Sequence, residues 1–128
     1  MAMDMRPDPA GNGPVITGFS GRGFKVREAV FPAGLLLTPD SAWAWDAAPA
    51  SVDMIDVAQV EMALALERAP EFLLLGTGAH LVQPPRAFVR ALEARDIGVE
   101  AMDSRAAARA WGVLRQEGRW IAAALMAL

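Results

Sequence analysis

The sequence predicts an α/β domain in which a mixed, partly parallel central sheet is layered with about three helices. In the second half of the chain, short apolar segments alternate with segments whose apolar residues recur at helical spacing. Such an order of strand, helix, strand, helix and strand requires crossover connections, which join parallel strands. The first half instead has short apolar segments separated by turn residues, a pattern typical of antiparallel strands.

Short strands are predicted throughout the first half of the chain. The turn residues at 20–23 indicate a hairpin between the first two strands rather than a phosphate-binding loop, because strands flank them on both sides. Trp43 and Trp45 lie two residues apart, so on a strand they share a face, either in the core or on a docking surface. We expect these strands to form one antiparallel meander. Its strands before the tryptophans are 15–19, 24–26 and 35–37.

Helices alternate with strands in the second half. Asp56 and Asp103 are suitable N-caps, and Gly118 lies where a helix favours a left-handed terminator. The predicted helices span 56–67, 85–95 and 104–117, and the predicted strands span 72–75, 99–102 and 120–126. The side chains expected to face the sheet are Val57, Val60 and Leu64, then Phe88, Ala91 and Leu92, and finally Ala107, Ala110, Trp111 and Leu114.

Length and composition indicate one domain. The chain has 128 residues, of which 54% are hydrophobic and 21% charged, enough apolar material for a single core. We predict a domain over 15–128, preceded by a disordered lead-in over 1–14 that is rich in Pro, Gly and Asp. The longest apolar run, 120–128, is shorter than the roughly 20 residues that cross a bilayer, so we expect no membrane insertion.

Charge and residue usage exclude several classes of function. A net charge of -3 provides no general attraction for nucleic acid. The chain has no cysteine, which excludes disulfides and thiolate chemistry and suits a cytoplasmic location. His80 is the only histidine and is expected in a surface loop, and we expect no metal or other cofactor.

A candidate binding site follows two of the predicted parallel strands. The carboxyl ends of parallel strands lie at one edge of a sheet, and free N–H groups at a helix start attract anions. A small anionic ligand or a partner's carboxylate is the expected occupant. The alternative is a tight turn, a helix cap and two solvated arginines. The candidate residues are Gly76, Thr77, Gly78, Glu100, Asp103, Arg105 and Arg109.

Glu100 is the charged residue of its predicted strand. If both faces of the sheet are covered, its carboxylate needs a partner, for which Arg109 and Arg119 are candidates. The alternative is a general base with a raised pKa. No nucleophile is placed beside it, and the chain has no Gly-x-Ser-x-Gly elbow. The sequence therefore favours a non-catalytic protein and leaves an enzyme as the alternative.

Several segments resemble the family called domain of unknown function 498. Residues 70–78 look like its Pro-Glu-hydrophobic-Gly-Thr-Gly signature, and 98–103 resembles the next one. Further similar segments are 34–39 with Trp43, 107–109, 117–119 and 122–125, so the resemblance covers about 15–128. Members typically have a Thr-Tyr-Asn-like run where this chain has Ala110, Trp111 and Gly112, so if the polar residues of that run bind something, the contact would be lost or altered here.

The resemblance implies a layered α/β fold around a mixed sheet and no established catalytic residues. The family includes a mitochondrial assembly factor for respiratory complex I, and its shared surface would lie around the candidate residues above. We therefore expect a binding or assembly module that contacts a protein partner or a second copy of the chain. The alternative is a protein or enzyme that binds a small anionic molecule at the candidate site.

Overall fold

Two β-sheets organise the fold in the computed structural model, which describes residues 13–128. The smaller sheet has three antiparallel strands, and the larger one has five strands in the order β5-β4-β8-β6-β7. The strands are β1 Ile16–Ser20, β2 Gly23–Val26, β3 Ala29–Phe31, β4 Gly34–Leu37, β5 Ala42–Ala44, β6 Phe72–Gly76, β7 Gly98–Met102 and β8 Ala122–Met126. The helices are two 3-10 turns, Val52–Met54 and Val57–Val60, then α1 Glu61–Leu64, α2 Arg86–Glu93 and α3 Ser104–Gln116.

The larger sheet is mixed, as predicted from the sequence. β6 pairs in parallel with both β7 and β8, whereas β4 pairs antiparallel with β8 and with β5. Leu73, Leu74 and Leu75 of β6 are fully buried because helices or the small sheet cover both faces. The predicted α/β class is therefore confirmed.

Two hydrophobic clusters lie on opposite faces of the larger sheet. One contains Phe88 and Leu92 of α2 together with Trp45, whose indole N–H donates to the carbonyl oxygen of Gln59 at 2.7 Å. The other contains Trp111 of α3 and residues of the small sheet. Trp43 packs against the same cluster as Trp45, so the expectation that they share a face is confirmed.

The prediction of one meander in the first half is wrong. The hairpin at 20–23 forms, but β4 and β5 leave the small sheet and join the larger one. The four residues of β4 are all buried, because a strand placed inside the larger sheet is covered on both faces. β3 was not predicted from the sequence. The turn before it contains Arg27 with φ 56°, and arginine is not a residue type that indicates a turn.

The helix predicted over 56–67 is also wrong in length. Asp56 does begin the helical segment, and its N–H donates to the side-chain oxygen of Gln59 at 2.9 Å. The segment then continues as α1 and stops at Leu64, where the chain turns so that β6 can enter the sheet. Ala91 is exposed, contrary to expectation, because the short α2 packs only Phe88 and Leu92 inward.

The third helix follows the sequence prediction closely. Asp103 accepts a hydrogen bond from the N–H of Ala106 at 2.9 Å, and Gly118 adopts φ 78° after the last turn. The predicted stripe packs on the sheet as expected. The last strand begins at Ala122 rather than at Trp120, whose N–H donates to the Glu71 carboxylate at 3.1 Å.

The predicted disordered lead-in, 1–14, falls outside the described residues except for its last two. Of these, Pro14 accepts a hydrogen bond from the indole N–H of Trp111 at 3.0 Å. Within the described range, 13–128, no helix combines the length and the apolar character needed to cross a membrane.

Candidate functional site

The carboxyl ends of β6 and β7 meet at one rim of the larger sheet. Gly76 is the register partner of Met102, and the N–H of Thr77 donates to the Met102 carbonyl oxygen at 2.9 Å. Two residues on, the N–H of Ser104 donates to the carbonyl oxygen of Gly78 at 2.8 Å. The structure therefore brings the glycine turn and the start of α3 into direct contact.

Ser104 is the central residue of this rim and is fully buried. Its hydroxyl accepts from the N–H of Gly78 at 2.8 Å and donates to the carbonyl oxygen of Met126 at 2.7 Å. One side chain thus links the ends of all three parallel strands. Ser104 is not among the residues predicted from the sequence, because a serine after an N-cap carries no signal of a contact with residue 126.

Gly76 is required by the close approach of α3. A Cβ at this position would lie 2.8 Å from Ser104 Oγ and 2.8 Å from Leu125 Cδ2, closer than real Cβ atoms come to such neighbours. Gly78 has φ 97°, a conformation that disfavours other residues. The interior of the corner is therefore filled by the protein's own atoms.

Thr77 determines the path of the loop that follows β6. Its hydroxyl donates to the carbonyl oxygen of His80 at 2.6 Å and accepts from the N–H of Val82 at 3.0 Å. The loop that it holds exposes Leu81 and Val82, by 53% and 45% respectively. His80 lies exposed in this loop, as expected. A buried threonine thus fixes a surface segment whose outward side chains are apolar.

The start of α3 is already occupied by a carboxylate. Asp103 accepts from the N–H of Ala106, so its negative charge lies where an anion at the helix terminus would lie. A second anion in this place would be repelled by Asp103 and would compete for the same donor. This geometry is that of a helix cap, the alternative interpretation of these residues.

Arg105 and Arg109 face the small sheet rather than the rim. The guanidinium of Arg105 lies 4.8 Å from the ring centroid of Phe19, a cation–π contact with β1. Arg109 lines a shallow groove of about 210 Å³ between α3 and β1. Its other walls come from residues 16–19 and Ala108.

The expected ion pair of Glu100 is wrong. Its carboxylate is exposed and pairs with no Lys or Arg among residues 13–128, and Arg119 pairs with Glu71 instead. The cause is the position of β7 at the edge of the sheet, where α3 does not cover residue 100. Glu100 therefore lies apart from the glycine corner.

A polar clamp joins the amino ends of the parallel strands, opposite the rim. The Glu71 carboxylate accepts from Arg119 Nη2 at 2.8 Å and from the N–H of Trp120 at 3.1 Å. The hydrogen bond from Arg119, aided by that of Trp120, lowers the pKa of the Glu71 carboxyl below its usual value. Residues 13–128 contain no cluster of three or more His, Asp or Glu side chains that could hold a metal ion.

The fold class defined by these elements is shared with several bacterial proteins of known structure. The crystal structure of a Bordetella parapertussis protein matches with a TM-score of 0.81 and 31% identity, covering 94% of this chain and all, 100%, of that one. A Bordetella pertussis protein described as an Mth938-like domain matches with a TM-score of 0.76 and 27% identity, covering 98% and 92%. This chain is thus an α/β protein with the architecture of those domains.

The family follows from the sequence comparison. The profile described as protein of unknown function (DUF498/DUF598) matches residues 16–126, and this chain belongs to that family. An uncharacterised protein of Rhodobacter capsulatus is 33% identical over 111 residues, which are 87% of this chain and 82% of the relative. The resemblance found in the sequence is confirmed at the level of the family.

The structure gives physical reasons for the segments that carry the resemblance. Glu71 and Arg119, from two different signatures, form the clamp, and Gly76, Thr77 and Gly78 build the corner. In the segment 110–112, where the sequence predicts a departure from the family pattern, Trp111 is fully buried and its indole N–H donates to the carbonyl oxygen of Pro14 at 3.0 Å. Trp111 is therefore part of the core of this chain.

Proposed function

We propose that this protein is a non-catalytic binding module that contacts another protein through the loop 79–83, which we call the rim loop. One observation carries the proposal: the buried hydroxyl of Thr77 bonds to two backbone groups of a loop that exposes Leu81 and Val82. The polar groups of the corner are thus used to hold the loop rather than to meet a ligand.

A fixed apolar loop is well suited to binding another protein. A segment that is ordered before binding loses less conformational entropy on association. Apolar side chains at the centre of an interface supply much of its free energy. The hydroxyl of Thr77 bonds to the rim loop itself and that of Ser104 holds Gly78 just before it, so Leu81 and Val82 would meet a partner without prior rearrangement.

The class of partner is suggested by the family resemblance. The family that this chain resembles includes an assembly factor for respiratory complex I. We therefore propose further that the protein assists the assembly of a respiratory or other membrane protein complex. The absence of cysteine fits a reducing location such as the bacterial cytoplasm. In this proposal the module binds a subunit before it is incorporated and plays no chemical part itself.

Site-specific photo-crosslinking in the native host tests the rim loop. A photoreactive amino acid is placed at Gln83, in the rim loop, or at Gln116, at the exposed end of α3. We expect a discrete crosslinked product from position 83 and none of that mass from position 116. A product equal to two copies of the chain would assign the loop to self-association and overturn the proposal of a different partner.

A pair of charge variants separates contact from stability. Leu81→Glu and Val113→Glu change side chains of similar exposure, 53% and 56%, at different places on the surface. We expect Leu81→Glu to abolish the product from position 83 and Val113→Glu to leave it, with both proteins folded by circular dichroism. Equal products from the two variants would contradict the proposal.

A second function, the binding of a small anion, is favoured by the groove beside Arg109. Arg109 is exposed at a concave surface between α3 and β1, and an anion there would stabilise the native state. Inorganic phosphate is the probe: under this alternative it raises the melting temperature of the wild type and of Arg86→Gln but not of Arg109→Gln. No increase in the wild type would remove the alternative.

A further inference from the structure

β5 leaves hydrogen-bonding groups at an edge of the larger sheet. Its inner side pairs with β4, and no other strand within 13–128 pairs with its outer side. The N–H of Trp45 donates to the carbonyl oxygen of Gly34 at 3.1 Å, so residue 45 directs its backbone groups toward β4. Backbone groups alternate in direction along an antiparallel strand, so Ala42 and Ala44 direct their N–H and C=O groups outward.

An apolar groove of about 310 Å³ lies directly beside this edge. The volume is at the lower limit of the roughly 300–1,000 Å³ typical of small-molecule pockets, which suits a single inserted side chain. Met62 at the border of the groove is 56% exposed. The main walls are Leu36, Trp43, Trp45, Ala58 and Met62.

Trp43 differs from the other tryptophans of the chain. The indole N–H groups of Trp45, Trp111 and Trp120 each donate to a backbone carbonyl oxygen. Among the described residues, Trp43 has no such acceptor, and its ring is only partly buried on the wall of the groove. A half-buried tryptophan, with an apolar ring and a polar N–H, is a frequent anchor of protein interfaces.

The part of the chain that forms the groove is strongly acidic. Residues 28–67 contain no Lys or Arg, although the chain has 12 of these residues. Asp46 is exposed at the groove itself, while Glu61 is already paired with Arg95 at 2.8 Å. The acidic residues of this segment are Glu28, Asp40, Asp46, Asp53, Asp56, Glu61 and Glu67.

We propose that the open edge of β5 binds an extended, basic segment of a partner protein as an added strand, with one apolar side chain in the groove beside Trp43. Backbone bonds to Ala42 and Ala44 would supply affinity, and the groove and Asp46 would supply specificity. Pairing of β5 with β5 of a second copy is disfavoured, because it would bring two acidic segments together. This inference concerns a different surface from the rim loop and does not depend on it.

A short blocked peptide of alternating lysine and valine is the probe. Binding to the full chain is followed by NMR, using the amide signals of 42–46 and the indole N–H signal of Trp43. We expect these signals to shift together on titration, while the rim-loop amides stay unchanged. Shifts confined to other surfaces would overturn the proposal.

Two control peptides test pairing and charge on the wild-type protein. A peptide with methylated nitrogens on alternate residues cannot complete the strand ladder, and one with glutamate in place of lysine has the wrong charge. We expect neither to bind measurably at concentrations that saturate the first peptide. Equal binding of the methylated peptide would refute strand addition, and equal binding of the glutamate peptide would refute charge recognition.

Variants of the protein provide matched comparisons. Asp46→Lys should weaken peptide binding roughly five-fold, the effect of reversing one exposed charge, whereas Glu117→Lys makes the same kind of charge change at the exposed end of α3, away from the groove and the edge, and should not. Ala44→Pro removes an outward N–H and should weaken binding about ten-fold. If this variant fails to fold, the methylated peptide carries the same test.

Two other occupants of this edge, a second copy of the chain and the chain's own first residues, would give different experimental results. Self-association that rises with protein concentration and disappears in Ala44→Pro would assign the edge to a second copy. Peptide binding that tightens when residues 1–12 are deleted would assign it to the chain's own beginning. Either result would overturn the proposal of a basic partner segment and would leave the test of the rim loop unaffected.

Discussion

Replacing Ser104 by alanine is expected to lower the free energy of unfolding by about 2–4 kcal/mol. The change removes two hydrogen bonds, to the N–H of Gly78 at 2.8 Å and to the carbonyl oxygen of Met126 at 2.7 Å. Each bond contributes about 1 kcal/mol net, and because its buried partner is left without a replacement the loss rises to about 1–2 kcal/mol per bond. Ser104 is fully buried, so water cannot replace the hydroxyl without opening the rim.

Urea denaturation followed by tryptophan fluorescence measures this loss. We expect the midpoint to fall with an unchanged slope, because the surface exposed on unfolding stays the same. The amide of Gly78 should also exchange faster with deuterium than in the wild type. The control is Ser20→Ala at the exposed end of β1, where we expect a change within about 0.5 kcal/mol. A similarly small change in Ser104→Ala would refute the bridging contact.

Three further predictions concern glycine positions and a carboxylate. Gly76→Ala should cost about 1–3 kcal/mol by calorimetry, because its Cβ would lie 2.8 Å from Ser104 Oγ. The same change at Gly112, where an added Cβ would meet nothing within 4 Å beyond its chain neighbours and the backbone of its own helix, should instead stabilise α3 by about 0.5–1 kcal/mol. Finally, Glu71→Gln should unfold more easily than the wild type near pH 7. The folded-state pKa of Glu71 is lowered, so its contribution is present above the usual value of 4.5 and is lost as the pH falls through the folded-state pKa. The stability curves of the two proteins against pH, from urea titrations, should therefore converge in acid; a difference that persists in acid, or none near pH 7, would contradict the clamp.

Two structural devices, built in part from residues of the family signatures, lie at opposite ends of the parallel strands. At the amino ends, Glu71 holds Arg119 and the N–H of Trp120. At the carboxyl ends, Ser104 and Thr77 hold the corner and the rim loop. Both devices are consistent with a scaffold that presents surface loops, which is the basis of the proposed binding function.

Local patterns were sufficient to predict much of the second half of the chain. The cap at Asp103, the stripe of α3 and the continuous apolar run of β6 each depend on neighbouring residues only. The parallel pairing of β6 and β7 followed from the crossover rule, so the meeting of the glycine corner with α3 was foreseen. Predictions failed where the outcome depended on distant partners, as for Glu100 and for β4.

Periodicity and capping act within a few residues, so the α/β class, the third helix and the place where the glycine corner meets that helix were predictable from the sequence alone. Three features became evident only in the folded molecule: Ser104 joins three strands, Arg119 pairs with Glu71 rather than Glu100, and no strand of residues 13–128 pairs with the outer side of β5. Those contacts join residues far apart in the chain. Their formation depends on which strands become neighbours, and strand order is set by the packing of the whole domain.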